Sequence, residues 1–343
     1  MILNKNDNGA QEVRSITGMY YQNNDFSRIE TNVILETRTV INILGEAVYN
    51  RAEDFYLSDL FIVKQVPDKN GIDKIIEEIP DNKDEKLNYY LVKAVQAAIA
   101  LLAHFNYSQE NIISHEDTGR KNKIDSTNEK IAWEWQIDRD NAAMLKKAYK
   151  AIDYLFDFVE TNNIAEWVSS EKRTKVRSVF ISSAREFHAV YPIEESQRFY
   201  YELLPFIEEN QTTILPQAMG EELYNDFLTK YQLNALNTIK EQTLLTIIRR
   251  YLALQTIFTA CTRFALSVFP QGVAQRFMSG GGGRYASKEP ADETLRKYAF
   301  GIIKPDAEKA LGDLQRNIKG IRAQDIDVPI IPNNRPENGF FRS

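Results

Sequence analysis

The sequence is poor in the side chains on which most metal and disulfide sites depend. Its 343 residues include one cysteine, Cys261, and three histidines, His104, His115 and His188. A single cysteine excludes a disulfide within the chain. The histidines are not spaced as in metal-binding motifs. We therefore expect no disulfide framework and no metal site, in a protein that is kept in the reducing cytoplasm.

Motifs for catalysis and nucleotide binding are also missing. No G-x-S-x-G nucleophile motif is present. The glycine-rich stretch Ser279–Arg284 lacks the Lys-Ser/Thr pair of a phosphate-binding loop. Asp68–Gly71 starts like a calcium loop, but its glycine comes too early and the closing carboxylate is absent. We predict that the protein is not an enzyme and binds no cofactor, with an enzyme completed by a partner chain as the alternative.

Long apolar runs and an excess of basic charge are lacking as well. The uninterrupted apolar runs fall short of the roughly 18–20 residues that cross a bilayer. The first residues turn polar after Leu3, unlike a secretory signal. A formal net charge of −6 argues against non-specific binding to duplex DNA, which needs many Lys and Arg contacts to phosphate. We expect neither membrane insertion nor a chain that grips DNA, although a local basic patch is compatible with this charge.

What the sequence does contain is helical periodicity. Two long segments rich in Ala, Leu and Ile, Leu91–Tyr107 and Tyr251–Phe269, are apolar most of the way round a helix. Elsewhere apolar residues recur three to four positions apart, as expected for helices with one buried face. The fold class predicted is mainly α, with antiparallel helices packed around each long segment.

Three stretches depart from the helical pattern. Residues 65–88 carry proline, glycine and mixed charge, which predicts a loop with one short helix at Ile72–Ile79. Residues 108–130 are polar and predict a second loop. Residues 131–137 alternate apolar and polar side chains, which predicts a short strand or extended arm.

Several short patterns recur in the two halves of the chain. A G-E-x-x-Y-N motif is repeated at an offset of 175 residues, and three later landmarks are repeated at an offset of 159. The difference places 16 extra residues in the first half, within 65–88. We predict two tandem bundles related by duplication, with two unrelated helical domains as the alternative. The repeated positions are Gly45–Asn50 with Gly220–Asn225, Gln96 with Gln255, Ala132 with Ala291, and Lys150-Ala151 with Lys309-Ala310.

The chain is accordingly divided into four parts. They are an N-terminal arm (1–28), a first helical bundle (29–163), a second helical bundle (164–320) and an extended C-terminal tail (321–343). Prolines exclude a helix in the tail, and its apolar residues favour an arm that docks on a neighbouring subunit. A disordered tail is the alternative.

The candidate interaction residues come from the two polar loops, one tryptophan pair and the tail. The loops are locally basic and could meet phosphate or an acidic partner, or could simply be solvated. The tail residues are its apolar anchors. The candidates are Arg120, Lys121 and Lys123 in the first loop, Arg284 and Lys288 in the second, Trp133 and Trp135, and Ile330, Ile331, Phe340 and Phe341 in the tail.

Several of these features together resemble a family of proteins found in prophages of the Bacteroidetes. They are Gly220–Tyr224 after a helix that ends at Leu215-Pro216, the long helix from Leu91 with its polar loop, the Ala132-Trp133 segment, and the closing helix to Glu160. This family is similar to the head–tail connector, or adaptor, proteins of tailed phages.

The resemblance implies a structural role in a virion. A connector would bind the portal and the tail proteins and form a ring through which DNA passes without sequence-specific binding. It would assemble in the cytoplasm of the host bacterium and need no membrane and no cofactor. A doubled chain could form a ring of six or of twelve. A cytoplasmic helical scaffold or binding module without catalysis is the alternative.

Overall fold

The computed structural model describes residues 1–18, 25–67, 73–111, 113–116, 119–122, 133–264, 269–270 and 291–325. The chain divides into two compact units. Unit 1 comprises Met1–Lys175 with Ser196–Tyr201, and unit 2 comprises Val176–Glu195 with Glu202–Ser343. Most described residues are helical, so the prediction of a mainly α fold is confirmed.

Unit 1 is a helical bundle that carries two small ribbons. Its strands pair as two separate antiparallel ribbons, β1 with β2 and β3 with β4. The elements are a 3-10 turn (Lys5–Asp7), α1 (Gly9–Thr17), α2 (Ser27–Leu44), α3 (Glu46–Leu57), β1 (Val63–Pro67), β2 (Asp73–Glu77), α4 (Lys83–Glu110), β3 (Ile113–Glu116), β4 (Gly119–Asn122), α5 (Glu134–Thr161), α6 (Ala165–Val168) and α7 (Glu171–Ser178), the last of which ends in unit 2.

Helix α4 lies at the centre of unit 1, where α1, α2, α3 and α5 pack against it. It begins at a side-chain cap, since the Asn82 side-chain oxygen accepts the backbone N–H of Asp84 at 2.9 Å. Its small residues Ala94, Ala98 and Ala100 are buried, which allows neighbouring helices to approach closely. The predicted central role of this apolar segment is confirmed.

The N-terminal residues are part of the core, so the predicted loose arm is wrong for residues 1–18. Ile2 and Leu3 are buried in the same cluster as α4, and α1 adds Val13. The Gln96 side chain of α4 donates a hydrogen bond to the carbonyl of Ile2 at 3.0 Å. The polar composition of this stretch concealed its few apolar residues, all of which point inward.

The predicted helix at Ile72–Ile79 is wrong, because this stretch contributes a strand to a hairpin. β1 and β2 pair antiparallel, with Val63 opposite Glu77 and Lys64 opposite Ile76. Val63, Ile75 and Ile76 are β-branched, which favours strands over helices. The intervening Asn-Gly sequence is a strong hairpin signal, although those residues lie outside the described part of the chain.

The other two sequence-based assignments in unit 1 also need correction. The predicted loop at 108–130 starts as the end of α4 and then contains the β3–β4 ribbon, in which Ile113 pairs with Asn122. The predicted strand or extended arm at 131–137 is wrong for residues 134–137, which start α5, while residues 131 and 132 lie outside the described part of the chain. Trp133 is the residue before the helix, and its backbone N–H donates to the Gln136 side chain at 3.0 Å. Both Trp133 and Trp135 are exposed, so the alternation did not reflect burial.

Unit 2 is built around α11 in a comparable way. Helices α8, α12 and α13 and a π-helical segment pack against α11. The π-helix ends two residues before Pro305, whose missing N–H and bulky ring disfavour a regular α-helical turn there. The elements are α8 (Ala184–Val190), α9 (Gln197–Met219, which begins in unit 1), α10 (Glu221–Gln232), α11 (Ile239–Arg263), α12 (Ala291–Tyr298), the π-helix (Ala299–Ile303) and α13 (Lys304–Asp325).

The two G-E-x-x-Y-N motifs form the same kind of helix junction. Gly45 (φ 95°, ψ 146°) separates α2 from α3, and Gly220 (φ 84°, ψ 139°) separates α9 from α10. This backbone conformation is essentially restricted to glycine. The helix that follows has 12 residues in both cases and buries the tyrosine of the motif, Tyr49 or Tyr224.

Candidate interaction surfaces

The β1–β2 hairpin presents one face to the core of unit 1 and the other to solvent. Side chains alternate between faces along a strand, so Val63 and Glu77 share one face while Lys64 and Ile76 share the other. Val63 packs against the core cluster, and Glu77 is largely buried. On the other face Ile76 is 46% exposed, and Lys64 forms an ion pair with Glu78.

Glu77 anchors the inner face of this hairpin to α4. Its carboxylate accepts the Tyr89 hydroxyl at 2.8 Å and the Lys93 ammonium at 2.8 Å. The ring of Tyr89 stacks on Phe61, just before β1, with the ring centroids 5.7 Å apart. Burial and the neighbouring Glu77 carboxylate raise the pKa of Tyr89. The hairpin is therefore held in one orientation on the bundle.

Several exposed large apolar side chains lie on the hairpin and on the segments that adjoin it in the chain. They come from the end of α3, from the segments that flank the two strands, and from α4, where Tyr90 contacts the anchoring Tyr89 edge-to-face. Clusters of exposed apolar side chains commonly mark surfaces that bind other proteins. We call this set the hairpin patch: Leu57, Leu60, Ile62, Ile76, Ile79 and Tyr90.

Sequence reasoning missed the hairpin patch entirely. The composition of residues 65–88 predicts a loop with one short helix, in which isolated apolar residues give no sign of a shared surface. The β-branched residues on either side of Asn70-Gly71 were the available signal. Only the pairing of Lys64 with Ile76 shows that Ile62 and Ile76 lie on the same face.

Four of the predicted interface residues lie in the described part of the chain. Arg120 and Lys121 are neighbours in β4, where they pair with His115 and Ser114. Trp133 and Trp135, at the start of α5, are 71% and 59% exposed. Trp133 precedes the helix with an extended backbone, whereas Trp135 is its second residue, so helical spacing does not place the two tryptophans on one face. The remaining candidates lie outside the described residues: Lys123, Arg284, Lys288, Ile330, Ile331, Phe340 and Phe341.

Two buried titratable groups, Glu12 in unit 1 and Cys261 in unit 2, lie in environments that favour their neutral forms. Glu12 is 1% exposed and accepts the Tyr56 hydroxyl at 2.9 Å and the backbone N–H of Asn4 at 3.0 Å. Burial raises the pKa of Glu12, and the hydrogen bond from Tyr56 partly opposes that rise. In unit 2, burial raises the pKa of the Cys261 thiol to about 12, which leaves it protonated and unreactive at neutral pH. These environments suit packing rather than proton transfer.

Depressions and metal-ligand clusters give little support to a small-molecule site. A shallow depression of about 310 Å³ on unit 1 is lined by α2 and α3 residues such as Arg38 and Glu46. Another, of about 370 Å³ on unit 2, lies between Lys240 and Arg316. Within the part of the chain that the structure describes, no three His, Cys, Asp or Glu side chains are grouped so that they could hold a metal ion.

One described helix is long and apolar enough by composition to cross a membrane. It is α11, and 61% of its most apolar window is buried inside the fold. A central core helix meets the same criteria, and α11 is the helix around which unit 2 packs. Its apolar surface is therefore accounted for by packing within unit 2.

Comparison with known proteins identifies a family but no characterised relative. The sequence profile of a family of unknown function, DUF6712, matches residues 40–177 and 215–316. These stretches cover more than half of the chain, so the protein belongs to this family. No curated protein and no solved structure matches it.

Proposed function

We propose that this member of the DUF6712 family is a structural, non-catalytic head–tail connector of a tailed phage or prophage, which forms a ring between portal and tail. The observation that carries the proposal is the hairpin patch, an exposed apolar surface that is held rigidly by Glu77 and Tyr89. An exposed group of apolar side chains of this kind suits a protein partner.

We further propose that the two units are copies of one plan. Each has a central apolar helix, and each has the glycine junction followed by a 12-residue helix. At the offset of the motif, buried positions coincide in four pairs. They are Val40 with Leu215, Leu44 with Met219, Tyr49 with Tyr224, and Ala52 with Phe227.

Two further observations support this internal repetition. The family profile matches two stretches, each of which begins five residues before the glycine of one motif. The hairpin lies between α3 and α4, whereas α10 and α11 are joined by residues 233–238 alone. An extra segment in the first copy thus accounts for the 16-residue change of offset. Insertions between helices are well tolerated.

A ring of identical chains needs two different complementary surfaces on each chain, because its contacts are head-to-tail. The acidic net charge of −6 suits a channel wall along which DNA slides without being held. On this proposal the partners are the portal and tail proteins and further copies of the chain. The protein resides in the virion after assembly in the host cytoplasm.

The test is the solution mass of the purified protein, measured by light scattering at low and high concentration and followed by electron microscopy. A closed ring of six or twelve chains is the expected result, and its symmetry would show how the repeated unit is used. A chain that stays monomeric alone, and also when mixed with portal protein, would contradict the proposal. It would favour a helical scaffold or binding module instead.

A further inference from the structure

The edge of strand β1 beside the hairpin patch indicates what kind of partner could bind there. The β1–β2 ribbon has two strands, and α1 packs against β2. Among the described residues no further strand lies beside β1. The outer edge of a strand carries unpaired backbone groups and can accept an added strand. An extended peptide would therefore gain both backbone pairing along β1 and apolar contacts on the outer face.

The charges of the outer face favour a partner that is close to neutral. The strand register places three charged residues on that face, Lys64, Lys74 and Glu78, of which Lys64 and Glu78 form an ion pair with each other. The apolar contribution comes from Ile62 and Ile76 on either side of this pair. A strongly acidic or strongly basic peptide would gain little complementary charge from this face, because two of its three charged residues are paired with each other.

The C-terminal segment of the chain has the required composition. Eighteen residues, 326–343, follow Asp325, and their two acidic and two basic side chains balance. Val328 and Ile330 are two positions apart, so in an extended conformation they would lie on one face. Pro329 between them would direct its missing N–H to the outer edge, where proline is tolerated in a strand. Fully extended, these residues reach roughly 60 Å from the end of α13.

We propose that the segment 326–343 of one chain docks on a second copy, where residues 327–331, before Pro332, add a strand to β1 and contact the hairpin patch. Each chain then offers one tail and one patch, which is the head-to-tail contact that closes a ring. The inference rests on the proposed ring and identifies the contact that holds it together.

The contact can be tested by cross-linking two single-cysteine variants. The native Cys261 is buried and protonated, so introduced cysteines on the surface react selectively. Chains carrying Ile76→Cys are mixed with chains carrying Ile330→Cys and treated with a short bis-maleimide. Ile34→Cys is the matched control, because Ile34 is also an exposed isoleucine of unit 1, at 51%, but lies on α2 outside the patch.

We expect the Ile76→Cys and Ile330→Cys chains to form a heterodimer at least about tenfold faster than the control pair, since docking raises the local concentration of the two thiols. Equal rates for the two pairs would overturn the proposal. The double variant, with both cysteines in one chain, provides a second readout. A cross-link that forms only within single chains would overturn the assignment to a second copy.

A second measurement separates this contact from the ring itself. Removal of residues 326–343, or Ile76→Asp, should reduce the oligomer to single chains, whereas Ile34→Asp should leave its mass unchanged. If the ring persists in both patch and tail variants, the tail contact is refuted and the proposed connector stands. If the native chain is always monomeric and gives no cross-link, the tail contact is refuted and the ring is contradicted as well.

Discussion

Replacement of Tyr56 by phenylalanine tests the unexpected role of the N-terminal residues. The Tyr56 hydroxyl lies 3.0 and 2.9 Å from the two carboxylate oxygens of Glu12 and accepts the backbone N–H of Lys5 at 2.5 Å. Both Tyr56 and Glu12 are 1% exposed. The variant keeps the aromatic ring but removes the hydroxyl that is bonded to the buried Glu12 carboxylate. The carboxylate is then held by the backbone N–H groups of Asn4 and Lys5.

The expected cost follows from the type of bond that is lost. A hydrogen bond to a charged group contributes about 1.5–3 kcal/mol. We therefore expect Tyr56→Phe to lower the free energy of unfolding of unit 1 by about 1.5–3 kcal/mol. For a unit of this size, that corresponds to a decrease in Tm of roughly 3–12 °C. The matched control is Tyr154→Phe, because Tyr154 is 55% exposed and should change stability by less than about 0.5 kcal/mol.

Tryptophan fluorescence during urea unfolding measures this effect in unit 1 alone. All three tryptophans, Trp133, Trp135 and Trp167, belong to unit 1, and Trp167 is fully buried. Its indole N–H donates to Glu160 at 2.9 Å, so unfolding changes its environment. The midpoint of the fluorescence transition therefore reports on unit 1 without contribution from unit 2.

The pH dependence identifies the cause of the change. Burial raises the pKa of Glu12, so the carboxyl stabilises unit 1 most when protonated, and this advantage is lost as the pH rises through the raised pKa. Without the Tyr56 hydroxyl the pKa rises further, so the deficit of the variant should be small in acid and grow toward neutral pH. A deficit independent of pH, or equal to that of Tyr154→Phe, would refute this reasoning.

Three further predictions concern tyrosines, glycines and the cysteine. Burial raises the pKa of six tyrosines, so stability should fall by about 1.4 kcal/mol per tyrosine and pH unit above pH ~10. Circular dichroism should show unfolding together with the rise in tyrosinate absorbance, and gradual ionisation without unfolding would contradict this. Gly45→Ala should lower the free energy of unfolding in urea by about 1–3 kcal/mol, because Gly45 has a positive φ. Gly312→Ala should raise it by about 0.5–1 kcal/mol, because Gly312 lies in a helix with open space around it. Equal effects of the two substitutions would exclude the backbone explanation. Cys261 should react with a thiol reagent only in denaturant, and rapid reaction in the native protein would show that the thiol is accessible. The six tyrosines are Tyr49, Tyr56, Tyr89, Tyr201, Tyr224 and Tyr251.

The helices could be predicted because their signals are local. Apolar spacing along Leu91–Tyr107 shows a segment that must be buried on nearly all sides, and it lies within the central helix α4. Gly45 and Gly220 end one helix and begin another because of their own backbone freedom. A pattern over a few residues is sufficient in each case.

The wrong predictions concern segments whose local sequence pattern is compatible with both a helix and a strand. Apolar alternation at residues 131–137 suits a strand, yet the Gln136 cap and the following apolar spacing stabilise a helix that starts at Glu134. Residues 72–79 could be helix or strand, and pairing with Val63–Pro67 decides for the strand. For residues 72–79, the pairing that decides the structure involves residues outside the short segment in which the pattern was read.

The sequence by itself determined the helical class, the two central helices and the glycine junctions, because each depends on residues close together in the chain. Only the tertiary structure decided that Ile2 and Leu3 are core residues and that Glu12 is held by Tyr56, 44 residues away. It also decided which apolar side chains remain outside, since exposure depends on what packs nearby. The hairpin patch therefore exists only once β1 has paired with β2 and Glu77 has fixed the hairpin to α4.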